Sequence, residues 1–85
     1  MTAEEIRNTE PPIVNYDFET LKFAESNVKC AINWWERLKR REYYWWLPER
    51  DKNQPEDFIE ANIDYFKRYL FKIQNQLKSQ KNESI

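Results

Sequence analysis

Two apolar stripes dominate the chain. Leu21, Ala24, Val28, Ala31, Trp35 and Leu38 are spaced three, four, three, four and three residues apart. Ile59, Ile63, Phe66, Leu70, Ile73 and Leu77 are spaced four, three, four, three and four. At 3.6 residues per turn each set falls on one face of an α-helix, and the alternation of threes and fours is that of helices packed in a coiled-coil manner. Between the stripe positions, Glu25–Lys29 and Glu36–Arg40 have the i,i+4 spacing that supports a helix by about 0.3 kcal/mol per pair.

The local signals at the ends of these runs predict two long helices, about 17–47 and about 55–78. Asn15 or Asp17 caps the start of the first. Pro48 ends it and drives Leu47 towards an extended conformation. Residues 49–54 read as a polar loop. Pro55 suits the opening position of the second helix, and Asn53 or Gln54 precedes it as a cap. Glu56 and Asp57 sit at the positive end of that helix dipole, with Lys67, Arg68, Lys72 and Lys78 towards the negative end. Phe58, Tyr65 and Tyr69 flank the second stripe, while Phe71 points away from it and is a candidate for exposed apolar surface. Glu42 interrupts the first stripe, and is better read as paired to a lysine across the bundle than as an acidic anchor for a ligand. A short loop between two long helices makes an antiparallel two-helix hairpin. The expected class is all-α, with an N-terminal arm or tail over 1–15, a hairpin domain over 16–78 and a polar tail over 79–85. In the arm, Thr2 and Glu5 have capping-box spacing for a short turn through Arg7, which Pro11 and Pro12 stop. Beyond them Ile13, Val14 and Tyr16 either fray or lie across a helical groove.

The aromatic residues change this picture. All four tryptophans lie between Trp34 and Trp46, together with Tyr43, Tyr44 and four basic residues. On a helix continuing to 46, Phe23, Trp34 and Trp45 form one ridge at eleven-residue spacing, and Ala24, Trp35 and Trp46 form a second beside it. A single neighbouring helix needs only one ridge. The surplus predicts a cover, and the simplest is a symmetric dimer completing a four-helix bundle, or a partner in its place.

Composition narrows the function classes. Eighty-five residues make one domain, and a chain of that size buries only about 60% of its unfolded surface. Small domains add disulfides, metals or oligomerisation. Cys30 is the sole cysteine and there is no histidine, so an intrachain disulfide and the usual zinc and haem ligand sets are excluded. There is no glycine either, which removes phosphate-cradling loops of the usual kind. Glu4 with Glu5, and Glu56 with Asp57, sit where acids stabilise helix starts. Glu60 and Asp64 share a helical face but lack further oxygen ligands for a metal. No catalytic residue, cofactor or metal is expected. Fourteen basic against fifteen acidic residues give a net charge of −1, which argues against general polyanion binding. The opening MTAEEIRNTEPP has no apolar core of a secretory signal, and no run approaches a membrane span, so a soluble cytoplasmic protein is expected.

These readings favour a non-catalytic interaction module, such as a small adaptor, inhibitor or assembly factor. Its partner is expected to be a protein, or a second copy of the chain. Trp, Tyr and Arg dominate interface hot spots, which singles out Trp34, Arg37, Arg41, Tyr44, Trp45 and Trp46. The alternative is nucleic-acid binding through 29–46, where Lys29, Arg37, Lys39, Arg40 and Arg41 interleave with Trp34, Trp35, Tyr43 and Tyr44. Glu36 and Glu42 interrupt that patch. Association with a membrane surface through the same residues is the least favoured reading, because acids occupy the same helix.

Overall fold

The computed structural model describes residues 2–12 and 16–83, with side chains through Gln80. It contains α1 (Ala3–Asn8), α2 (Phe18–Lys39), α3 (Glu49–Lys52) and α4 (Glu56–Glu83). No strand occurs among the described residues. The long helices α2 and α4 pack along each other as an antiparallel hairpin. The cross-helix polar partners report the direction: Lys39 meets Glu60 at 3.2 Å, Glu36 meets Lys67 at 3.4 Å, and Glu25 meets Gln74 at 3.5 Å. As the number falls on one helix it rises on the other.

The stripes form the seam. Leu21, Val28 and Ile73 make one core cluster, walled by Tyr16, Ala24, Ile32 and Phe66. Leu38, Leu47, Ile59 and Ile63 make the other, nearer the loop. Burying side chains such as Leu21 and Ile73 stabilises by roughly 1.5–3 kcal/mol each. Phe71 lies off the stripe, and 65% of it is exposed.

The start of α2 follows its capping signal. Asp17 is the N-cap, and its Oδ1 accepts from the Thr20 amide at 2.8 Å. Hydrogen bonding from Thr20 holds the Asp17 carboxyl below its ordinary range. The end of α2 departs from expectation. The helix stops at Lys39, not at 47, and Pro48 is not what ends it. Arg41 adopts φ 60°, the left-handed region. Its amide donates to the Leu38 carbonyl at 3.1 Å, and the Glu42 amide donates to the Arg37 carbonyl at 2.9 Å. This is a Schellman stop, with arginine in the position glycine usually takes. A chain without glycine has to place another residue there, and the left-handed conformation costs about 1–2 kcal/mol for an L-residue with a side chain.

Several local expectations shift with that stop. Trp45 and Trp46 are not on the helix, so the ridges Phe23–Trp34–Trp45 and Ala24–Trp35–Trp46 do not form. Glu42 pairs with Arg40 at 3.2 Å, not with a lysine across the hairpin. Glu25 pairs with Lys22 at 3.4 Å instead of Lys29, whereas Glu36–Arg40 is present at 4.0 Å. The 49–54 loop contains the single turn α3, and α4 runs to Glu83, past the expected 78.

The N-terminal arm packs on α4 through α1. The Thr2–Glu5 capping box forms as its spacing predicts. Ile6 and Pro11 are buried. Ala61, Tyr65, Arg68 and Lys72 form a second stripe down α4, and its cations tie the arm down. Arg68 donates to the carbonyls of Thr9 at 3.0 Å and Ile6 at 3.3 Å. Lys72 donates to the Pro11 carbonyl at 3.1 Å and pairs with Glu10 at 3.0 Å. Arg7 reaches Asp57 at 2.6 Å. Further along α4, Gln80 Nε2 donates to the Tyr16 carbonyl at 2.8 Å. The expectation for Ile13 and Val14 lies outside the described residues.

Candidate partner-binding surface

Residues 40–47 leave the helix and double back beside it. Two inward anchors fix the segment. The Tyr43 hydroxyl donates to the Lys52 carbonyl at 3.0 Å, joining it to α3. Leu47 is buried in the core cluster with Leu38, Ile59 and Ile63. Between them the Leu47 amide donates to the Tyr44 carbonyl at 3.0 Å, closing a turn with Trp45 and Trp46 at its tip.

This turn lays Tyr44 and Trp46 against Trp34 of α2. The ring centroids of Trp34 and Tyr44 are 5.9 Å apart, those of Trp34 and Trp46 6.1 Å, and those of Tyr44 and Trp46 5.4 Å. Their planes lie 19°, 25° and 11° apart. Such ring pairs contribute about 0.5–1.5 kcal/mol beyond area burial, which helps hold a segment that lacks helical hydrogen bonds. Arg37, one turn along α2 from Trp34, places its guanidinium carbon 4.4 Å from the Tyr44 ring centroid. Its Nε is buried without a hydrogen-bond partner. Among the described residues no carboxylate pairs with Arg37.

The six residues singled out by sequence therefore separate. Trp34, Arg37, Tyr44 and Trp46 form one continuous surface. Trp45 stands beside it, 93% exposed. Arg41 belongs elsewhere: it lines a cleft with Lys39, Tyr43 and Lys52. Trp35, adjacent to Trp34 in sequence, turns to the opposite side and packs edge-on against Phe58 at 5.8 Å. Trp46 is 55% exposed, and Phe23, further back on α2, is 69% exposed. A shallow groove of about 490 Å³ lies against the stack, walled by Ser26, Lys29, Cys30, Asn33, Trp34 and Tyr44. It contains a cation and no carboxylate. Cys30 is a free, exposed thiol on this wall.

Sequence reasoning missed the groove because it placed Tyr44 on the same helix as Lys29. It also missed the pairing of Tyr43 with Lys52, which depends on the path of the loop. No signal in the residue pattern marks Arg41 as the helix stop.

The fold and surface define a class: an all-α helical hairpin that carries an exposed aromatic–arginine cluster at its loop end. No protein-family model, curated protein or solved structure matches the chain. No described helix is long and apolar enough to cross a membrane.

Proposed function

We propose that this protein is a non-catalytic interaction module of the cytoplasm. It binds an acidic segment of a protein partner on the surface of Trp34, Arg37, Tyr44 and Trp46, with Trp45 at the edge. Arg37 carries the reading. It is a guanidinium with a shielded, unpartnered Nε, stacked on Tyr44 and with no carboxylate partner among the described residues. An incoming carboxylate would form with this guanidinium the charge-assisted hydrogen bonds that no acid among the described residues supplies. Lys29, in the adjoining groove, likewise has no ion pair among the described residues. The exposed indoles of Trp45 and Trp46 supply the apolar contact area that interface hot spots use.

The same geometry disfavours the nucleic-acid alternative. Base stacking uses successive free ring faces, and Trp34, Tyr44 and Trp46 are engaged with one another, leaving Trp45 as the exposed ring beside them. Arg40 is engaged with both Glu36 and Glu42, and the net charge is −1. Those acids also weigh against attachment to an anionic membrane surface.

The test has two stages on the full chain. Light scattering should show a monomer whose tryptophan emission is red-shifted and readily quenched by acrylamide. A dimer with protected emission would instead make a second copy the occupant and overturn the reading. Affinity selection from a displayed peptide library should then enrich sequences that combine Asp or Glu with apolar residues. Arg37→Glu should abolish that enrichment while leaving helical circular dichroism intact. Enrichment indifferent to Arg37→Glu, or tight binding of single-stranded DNA that collapses with salt, sinks the proposal.

A further inference from the structure

On the other side of the helix stop lies a cleft of about 220 Å³ that the aromatic surface does not use. Lys39, Arg41 and Lys52 line it, together with Tyr43 and Glu56, over a floor of Leu38 and Ile59. Three cationic residues and one acidic residue line it, a net of two positive charges once Glu60 and Glu49, the present partners of Lys39 and Lys52, are displaced. The three cations come from three places in the chain: the last turn of α2, the left-handed residue beyond it, and α3. Only the tertiary path of the loop brings them together.

None of the three is tightly committed. Lys39 meets Glu60 at 3.2 Å with both side chains nearly half-exposed. Lys52 meets a largely exposed Glu49 at 3.5 Å. Exposed pairs of this kind contribute little and exchange readily. Arg41 has no ion pair among the described residues. The backbone at Arg41 points the same way. Asparagine tolerates the left-handed region better than arginine, and the chain uses asparagine freely elsewhere. A strained conformation held by a residue ill-suited to it is characteristic of ligand sites. The backbone amides at the stop are already satisfied by Leu38 and Arg37, so recognition falls to the side chains.

We propose that this cleft binds a phosphate-type oxyanion, gripped by Arg41 and Lys52 with Lys39 at the rim. The shared chemistry is a tetrahedral dianion, whether free phosphate or a phosphate monoester. A dianion matches the two net positive charges and displaces the weak carboxylate partners. The guanidinium offers paired N–H donors suited to phosphoryl oxygens, and the lysines act as point charges. Glu56 opposes binding, which gives the site a built-in control of opposite sign.

The experiment is a titration of the full chain with inorganic phosphate at pH 7.5, followed by amide chemical shifts. Sodium chloride at matched ionic strength is the control, and O-phosphoserine is the second arm. Phosphate should give saturable shifts confined to residues 38–43 and 52–56, which chloride does not reproduce. Arg41→Gly relaxes the backbone and so keeps the fold. It should weaken phosphate roughly fivefold or more, the loss expected for one nearby unit charge. Glu56→Gln should tighten binding. O-phosphoserine binding more tightly than phosphate identifies a monoester as the ligand, and weaker binding identifies the free ion; either supports the site. Linear shifts shared with chloride, an unchanged affinity in Arg41→Gly, or a loss of affinity in Glu56→Gln overturns it.

Discussion

The two sides of α4 are held in different ways. Its α2 side is an apolar seam, in which Ile59, Ile63 and Ile73 are buried against Leu21, Val28 and Leu38. Its α1 side is a strap. Two apolar residues of the arm, Ile6 and Pro11, are buried there, and polar contacts complete the attachment: Arg68 and Lys72 hold backbone carbonyls of Ile6, Thr9 and Pro11. The seam gains from removing hydrocarbon from water, a contribution that accumulates with every stripe residue. The strap gains from charge-assisted hydrogen bonds, each of modest net value because water competes for the same groups. The first arrangement makes a core. The second makes an attachment that a few substitutions can loosen without melting the hairpin.

The largest effect is expected in the seam. Ile73→Ala should cost about 2–5 kcal/mol in urea denaturation, because the side chain is fully buried and leaves a cavity. Unfolding should stay cooperative, with every probe reporting the same midpoint. Arg68→Ala comes next, at about 1.5–3 kcal/mol for hydrogen bonds to a charged group. Its signature should be local, with amide exchange accelerating in residues 2–12 while the α2 and α4 amides keep their protection. An equal loss of protection throughout the chain would show that strap and seam are a single unit.

Arg41→Gly should act in the opposite sense. Removing the strain of the left-handed residue should raise stability by about 1 kcal/mol, read as a higher urea midpoint with strap exchange unchanged. A destabilised Arg41→Gly would mean that the arginine side chain holds the loop through contacts stronger than its backbone strain.

The smallest effect separates the regions by pH. Lys72 holds the Glu10 carboxyl below its ordinary value of 4.5, and hydrogen bonding from Thr20 holds Asp17 below 3.8. A carboxylate depressed in the folded state contributes stability that is present above its unfolded value and is lost as pH falls through the folded one. Acidification from pH 5 towards pH 3 should therefore loosen the strap and the α2 cap; the buried hydrocarbon of the seam does not titrate, and at its edge only Glu25, held low despite the cost of its burial by Lys22 and Gln74, adds an acid loss. Comparing thermal midpoints of wild type and Glu10→Gln across that range checks this, since the variant should show a shallower acid slope.

The seam was legible in the residue pattern because apolar periodicity and helix geometry are the same information. Leu21, Val28, Leu38, Ile59, Ile63 and Ile73 were all on the predicted stripes, and all are buried. The Asp17 cap and the Thr2–Glu5 box were legible for a similar reason: both are local, spanning three residues. The strap was not. Arg68 and Lys72 bind main-chain carbonyls, which every residue possesses, so no partner residue type announces the pairing. The candidate surface was legible in composition and misread in geometry. Trp34, Arg37, Tyr44 and Trp46 do meet, yet through a loop that turns back and not along a continuous helix. The helix spacing through Trp46 was sound arithmetic applied past the point where the helix ends.

By itself the sequence determined an all-α hairpin, its two facing stripes and the absence of the histidine and glycine that zinc, haem and phosphate-loop sites ordinarily use. Hydrophobic burial follows periodicity, and periodicity is written residue by residue. Only the tertiary structure decided where α2 stops, which tryptophans pack against the core and which cations share a cleft. Those outcomes turn on one backbone angle at Arg41 and on the path of seven residues after it. Such a path is set by the sum of Leu47 burial, the Tyr43 hydrogen bond and the ring contacts of Tyr44 and Trp46, none of which has a fixed spacing to read.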